Sequence, residues 1–230
     1  MSFAHTRLRI IAIFLLIIFS LAMVSKADNT QTVYNSFNCK EKRIALTFDD
    51  GPHPRLTFKI LDVLKKHDIK ATFFVIGANV DSYPTPLKRA VSEGHEIGIH
   101  TNSHCLLKSM KKDKIKDEIS ICKEKILNTA SYQSTVIRPP CGMYDETLVE
   151  VAKESSFKVI LWSIDTHDWA HASKSKIINT ISNNVRSGDI ILFHDYISGE
   201  NHTVEALDYI IPTLKKEGYE FVTVTQLLQN

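Results

Sequence analysis

Glycine and proline are scarce, 8 and 7 in 230 residues, which excludes a collagen-like repeat and a low-complexity, disordered chain. No sign of charge dominates either. Lysine and arginine number 28 against 26 acids, a formal net charge of +2, so the composition implies neither a nucleic-acid partner nor a polyanion clamp. Four cysteines are too few for a disulfide-built miniprotein, and no C-x-x-C pair is present to suggest a structural zinc ribbon. What remains is ordinary globular usage, 43% apolar and 23% charged. The chain is long enough to bury most of its apolar surface in one large α/β domain or two small ones.

Residues 1–27 differ from the rest. A short basic start (Arg7, Arg9) leads into a run that is apolar from Ile10 to Val24 except for Ser20, followed by Ser25-Lys26-Ala27. The run falls short of the roughly 20 residues that cross a bilayer as a helix. This is the pattern of a secretory signal peptide cut after Ala27, or of an N-terminal anchor if it stays uncut. The expected location is therefore periplasmic, cell-wall associated or extracellular. Removal of Arg7, Arg9 and Lys26, with no acid beside them, takes the net charge to about −1. Export also permits disulfides among Cys39, Cys105, Cys122 and Cys141, in a pairing that sequence does not choose.

Residues 28–41 form a polar arm, and 42–230 read as one domain without repeat or linker. Apolar runs predict strands at Arg43–Phe48, Ala71–Ile76, His95–Ile99, Thr135–Arg138, Lys158–Ser163, Asp189–Phe193 and Tyr219–Val222. Amphipathic spacing predicts helices at Leu56–His67, Pro86–Glu93, Asp113–Thr129, Glu146–Ser155, Lys174–Val185 and Val204–Lys216. The charges of the longest helix read as a solvated face, with Ile115, Ile119, Cys122 and Ile126 turned to a core. Near-continuous apolar strands alternating with helices imply a mainly parallel sheet. About seven such units make a distorted, incomplete (β/α) barrel the expected fold.

Ionisable residues gather just after these strands: Asp49 and Asp50, His100 and His104, Arg138, Asp165 and Asp168, His194 and Asp195. In a parallel barrel those ends share one mouth. His100 and His104, four apart, project from one face of a helical turn and suit a single cation. The third ligand is Asp49 or Asp50, giving two histidines and a carboxylate with positions left open to water, a catalytic zinc-type set. Adjacent carboxylates on an extended chain point oppositely, so one binds metal while the other serves as base. Arg138 pairs with the non-ligand Asp. His194 suits a general acid, with Asp168 fixing its tautomer and raising its proton affinity. Trp169 and Leu192 are candidates for a small apolar pocket, whereas His53, His67, His95, His167, His171 and His202 read as structural or surface residues.

With these residues assembled, the sequence resembles the polysaccharide deacetylase family, whose shared unit is the NodB-homology domain. TFDDGPH at 47–53, HTNSH at 100–104, RPPCG at 138–142, DTHDW at 165–169 and LFH at 192–194 are similar, in order, to the family's five motifs. The resemblance implies a barrel of roughly seven strands and metal-dependent removal of N-acetyl groups from amino sugars. It also implies Asp50, His100 and His104 as ligands, usually of zinc and sometimes of cobalt or another divalent ion, and Asp49 as base. Arg138 would orient Asp49, Asp168 would tune His194 as the acid, and Trp169 and Leu192 would contact the acetyl methyl.

Cys141 stands where the third motif normally carries Tyr. The backbone N–H that helps to hold the oxyanion survives that change, while the ring that walls the sugar groove is lost. The expected partner is an acetylated glycan of the peptidoglycan or chitin type, with no nucleic acid and no obligatory protein partner. Two rivals stand beside this reading. One is a secreted glycan-binding protein without turnover, and the other is glycoside hydrolysis by a carboxylate pair, which leaves the histidines without a role.

Overall fold

The computed structural model describes residues 32–199 and 201–229. The expected signal segment and the first residues of the arm lie outside that range. The strands are β1 (Val33–Tyr34), β2 (Arg43–Asp49), β3 (Thr72–Val75), β4 (Glu96–Ile99), β5 (Val136–Ile137), β6 (Lys158–Ile160), β7 (Ile164–Asp165), β8 (Ile190–His194) and β9 (Glu220–Phe221). The helices are α1 (Leu56–Lys66), α2 (Gly77–Ser82), α3 (Pro84–Ser92), α4 (Lys112–Ala130), α5 (Glu146–Glu154), α6 (Lys174–Asn184), α7 (Thr203–Lys216) and α8 (Val224–Leu227). The sheet runs β1-β6-β5-β4-β3-β2-β8-β7, with β9 added on the start of β2. Every ladder among the described residues is parallel. This is an incomplete, curled (β/α) barrel.

All seven expected strands are present, and two differences enlarge the count. The expected strand Lys158–Ser163 ends early, at Ile160, as β6 paired with β5, and just beyond it an unexpected strand, β7, pairs with β8. The arm supplies the other. Val33–Tyr34 pairs with β6, and Ser36 then bridges Asp189 in antiparallel fashion, so the arm touches both sides of the opening in the barrel. A segment this polar earns its place through backbone hydrogen bonds, which leave little trace in side-chain periodicity.

Alternation along the strands sorts the side chains into two cores. Ile44, Leu46 and Phe48 of β2, with Ile191 and Phe193 of β8, face outward into the layer packed by Leu61, Leu64, Ile115, Ile119 and Ile210 from the helices. Ala45, Phe74, Ile160 and Ile190 face inward, and Val224 and Leu227 of α8 join them to plug the N-terminal end. Gly98 is required here, since a Cβ would lie 2.4 Å from the Phe74 ring. The apolar plug ends partway up the barrel. The next inward positions are Thr47 and Asp49 of β2 and His194 of β8, so the C-terminal end is polar.

Candidate active and metal site

Asp49 ends β2 and His194 ends β8, and the two residues are register partners on neighbouring strands. Their side chains therefore rise into the mouth side by side. Asp50, one residue on, has φ 76°. That left-handed turn swings its carboxylate back over the mouth. The two acids consequently converge on one imidazole instead of diverging as an extended chain would have them: His100 Nε2 lies 3.8 Å from Asp49 Oδ2 and 3.4 Å from Asp50 Oδ1. Asn79 donates to the Asp50 carbonyl at 2.7 Å, which holds the turn.

His100 follows β4 and is buried. Its Nδ1 lies 2.8 Å from the Arg138 carbonyl. A carbonyl only accepts, so Nδ1 carries the proton and Nε2 presents a lone pair. His104 Nε2 is 3.1 Å from the same Asp50 Oδ1. The helical turn expected for His100–His104 is absent. Thr101 at φ 65° and His104 at φ 61° make the segment a left-handed loop, which for a β-branched Thr costs about 1–3 kcal/mol.

These residues fit a divalent cation. One donor atom from each of Asp50, His100 and His104 lies within 4.8 Å of the others, a two-histidine, one-carboxylate set of the kind that binds zinc catalytically. Neither imidazole aims an N–H at Asp50 Oδ1, and that buried oxygen has no hydrogen-bond donor, an arrangement that a metal ion completes. Burial works to raise the Asp50 carboxyl, but the two imidazoles outweigh it and hold the group well below the usual carboxylate range. The close approach of the Asp50 carboxylate likewise raises the His104 pKa.

Arg138, after β5, is fully buried. Its Nη1 donates to Asp49 Oδ1 and to Thr47 Oγ1, each at 2.8 Å. Nε donates to the Ile160 carbonyl at 3.2 Å and Nη2 to that of Leu161 at 2.8 Å. The guanidinium lies over the Phe74 ring, 4.2 Å from its centroid. Asp49 thus keeps one oxygen locked to Arg138 and leaves the other toward the ligand set.

On the other side of the mouth, Asp168 Oδ1 accepts from His194 Nδ1 at 2.8 Å, and Oδ2 accepts from the His194 N–H at 2.9 Å and Thr203 Oγ1 at 2.8 Å. Burial pulls the His194 pKa down. The hydrogen bond and charge of Asp168, with Asp49 and Asp50 behind it, outweigh burial and push the pKa up to about 9. Leu192 is buried one inward position below His194. Trp169 is 52% exposed and stacks on His167, so the two apolar candidates supply a buried floor and an open ring. Cys141 is exposed at φ 57° and takes no part in the ligand cluster.

No disulfide forms among the described residues. Burial pushes the Cys122 thiol up to about 12, which makes it inert. His53 Nδ1 accepts the N–H of Leu56 at 2.9 Å and so caps α1, a structural use. Three supporting side chains had no role assigned from sequence: Thr47, which opens TFDDGPH, Thr203 and Glu118, the last accepting from the Asn102 and Ser103 N–H groups at 2.8 and 2.9 Å. Asp195 did stand at a strand end, though without a role. It is buried and accepts from Thr57 Oγ1 at 2.6 Å. A Cβ at Gly51 would come within 2.1 Å of it, so Asp195 fills the space beneath the Asp49–Gly51 turn.

A cluster able to hold a metal ion, with a carboxylate and a protonated imidazole beside it, suits the hydrolysis of a carbonyl compound. The comparisons with known proteins agree with that chemistry. The model of the polysaccharide deacetylase family matches residues 38–160. A peptidoglycan-N-acetylglucosamine deacetylase of Bacillus cereus is 40% identical over 191 residues, covering 82% of this chain and 89% of the relative. A crystal structure of a peptidoglycan N-acetylglucosamine deacetylase superposes with a TM-score of 0.82 at 38% identity, covering 90% of this chain and 95% of the other. A family 4 acetyl xylan esterase from Clostridium thermocellum, solved with a cobalt ion, gives 0.75 at 39% identity, over 81% of this chain and 90% of that one. On the family match, the shared fold and the site at the barrel mouth, the chain belongs to the polysaccharide deacetylases, hydrolases of amide C–N bonds.

Proposed function

We propose that residues 42–230 form an exported, zinc-dependent deacetylase that hydrolyses the N-acetyl group of N-acetylglucosamine in peptidoglycan to a free amine and acetate. The observation that carries this is the Asp50–His100–His104 donor set, with its buried, donorless oxygen, at the mouth that Asp49 and His194 share. The name of the Bacillus cereus relative supports peptidoglycan over chitin-like glycans, and the basic, then apolar start of the chain supports export.

Asp50, His100 and His104 would hold a divalent ion, which would supply Lewis acidity toward the acetamide carbonyl and a more acidic water. Asp49, held by Arg138, takes the proton from the attacking water. The Cys141 backbone N–H donates to the carbonyl oxygen as it gains charge. His194, kept protonated by Asp168, gives its proton to the departing amine nitrogen. Trp169 and Leu192 face the acetyl methyl.

The test is acetate release by the mature protein from peptidoglycan and from N-acetylglucosamine oligomers. Release from peptidoglycan is expected to be the faster, to fall to background after chelation and to return with zinc. Shortened sugars without acetate would sink the proposal, and faster release from the oligomers would move the substrate to chitin-like glycans.

The acid makes a second prediction. His194 works protonated, so turnover is lost as pH rises through its pKa, and Asp168 is what raises that pKa. Asp168→Asn removes the charge and one of the two acceptor oxygens, and it should move the alkaline limb of the kcat/KM profile to lower pH. A limb that stays in place would remove Asp168 from this role.

A further inference from the structure

His104 is the most exposed of the three ligands, its side chain 40% accessible, and it hangs on a loop with two left-handed residues. Something must hold that loop before a metal arrives. The backbone between the two histidines is gripped from two sides. Gly77 and Ala78 at the start of α2 donate their N–H groups to the Thr101 and Asn102 carbonyls at 3.0 and 2.9 Å. Gly77 is needed for that approach, since a Cβ would lie 2.7 Å from Asn102 Oδ1 and 3.2 Å from the Cys122 Cα. From the other side comes α4. Glu118 Oε2 accepts the N–H groups of Asn102 and Ser103 at 2.8 and 2.9 Å, while Oε1 accepts from Ser103 Oγ at 3.1 Å. Two turns along the same face, Lys125 Nζ donates to Asn102 Oδ1 at 2.8 Å and pairs with Asp81 at 2.6 Å.

We propose that Glu118 is the positioning residue of the metal centre: its carboxylate fixes the Thr101–His104 loop so that His104 Nε2 is aimed at Asp50 and His100 in the metal-free protein. The inference rests on the metal site of the proposed deacetylase. The charge of Glu118 belongs to a helix face that otherwise looks solvated, and only the two converging amides mark it out. Both amides lie between the ligands, so any freedom they regain is passed to the His104 ring. Partners that orient metal ligands in this way typically matter about 10- to 100-fold in metal affinity.

Zinc affinity of the metal-stripped full chain, measured by competition with a chromophoric chelator, tests this for the wild type, Glu118→Ala, Glu118→Gln and Asp117→Ala. Asp117 is one residue away, of equal charge, and pairs only locally with Lys114. Glu118→Ala is expected to weaken zinc binding about 10- to 100-fold. Glu118→Gln keeps one acceptor oxygen and should fall between, while Asp117→Ala should match wild type. The Co²⁺ absorption spectrum of Glu118→Ala should also change, because the ligand geometry does. If Glu118→Ala binds zinc as tightly as wild type and only its Tm falls, Glu118 is merely structural and the inference is wrong. Should that variant fail to fold, a Glu118→Gln affinity equal to that of Asp117→Ala overturns it as well. A wild-type chain that binds zinc yet releases no acetate refutes the deacetylase reading and leaves this one standing.

Discussion

Asp49→Asn is expected to cut acetate release about 100- to 10,000-fold, the usual worth of a positioned general base, while zinc still binds. The substitution is nearly isosteric. Asn keeps an oxygen for the Arg138 Nη1 donor, now at 2.8 Å from Asp49 Oδ1, and replaces only Oδ2, the oxygen turned toward His100. That oxygen is the one able to take a proton from the attacking water, and an amide cannot take it. Asp50, His100 and His104 are untouched, so metal content should stay near one ion per chain by elemental analysis. Loss of turnover with metal retained separates the base from the ligands. Near-native release by Asp49→Asn would be wrong for this mechanism, and loss of the metal would place Asp49 among the ligands instead.

The division of labour between the two acids shows where sequence reading stops. In the structure Ile44, Leu46 and Phe48 join the outer core and Thr47 and Asp49 face in, because alternation is fixed by the pleat. The same logic, carried one residue further, sets Asp50 opposite Asp49. It fails because φ at Asp50 is positive, and backbone handedness at a non-glycine residue has no hydropathy signature. HTNSH fails similarly: a four-residue spacing suits a helix, yet a left-handed loop brings the two imidazoles together just as well. Six of the eight helices among the described residues were legible to within a residue or two, the longest because Ile115, Ile119, Cys122 and Ile126 recur at three and four, whereas the short α2 and α8 were not expected. Glu118, on that same helix, was not. Its function depends on the arrival of a loop from elsewhere in the chain, and only tertiary contact reveals it. The change of neighbour between β6 and β7 was hidden for the same reason, because a buried apolar run reads alike whichever strand it pairs with.

Arg138→Met should cost about 3–5 kcal/mol of stability, the loss typical when one member of a buried ion pair is removed. Methionine fills much of the space, so the penalty is electrostatic in origin more than volumetric. Asp49, 3% exposed, is left with a carboxylate that has lost its guanidinium. The carbonyls of Ile160 and Leu161 lose a donor each as well. The measurement is urea unfolding of the metal-free protein, because bound zinc would add its own stabilisation to both forms and blur the difference. Adding Asp49→Asn to Arg138→Met then separates charge from shape. If the stranded carboxylate is the main cost, the double variant is more stable than the sum of the single losses allows, with a coupling of about 0.5–3 kcal/mol. Strict additivity would mean that Arg138 stabilises the barrel through Thr47, the two carbonyls and the Phe74 ring, and that its hold on Asp49 is incidental. The two outcomes lead to different accounts of the same residue. In the first, the barrel interior accepts a full charge at Arg138 because the reaction needs an ionised, immobile Asp49 at the mouth. In the second, the arginine belongs to the fold alone, and the orientation of the base has to come from elsewhere.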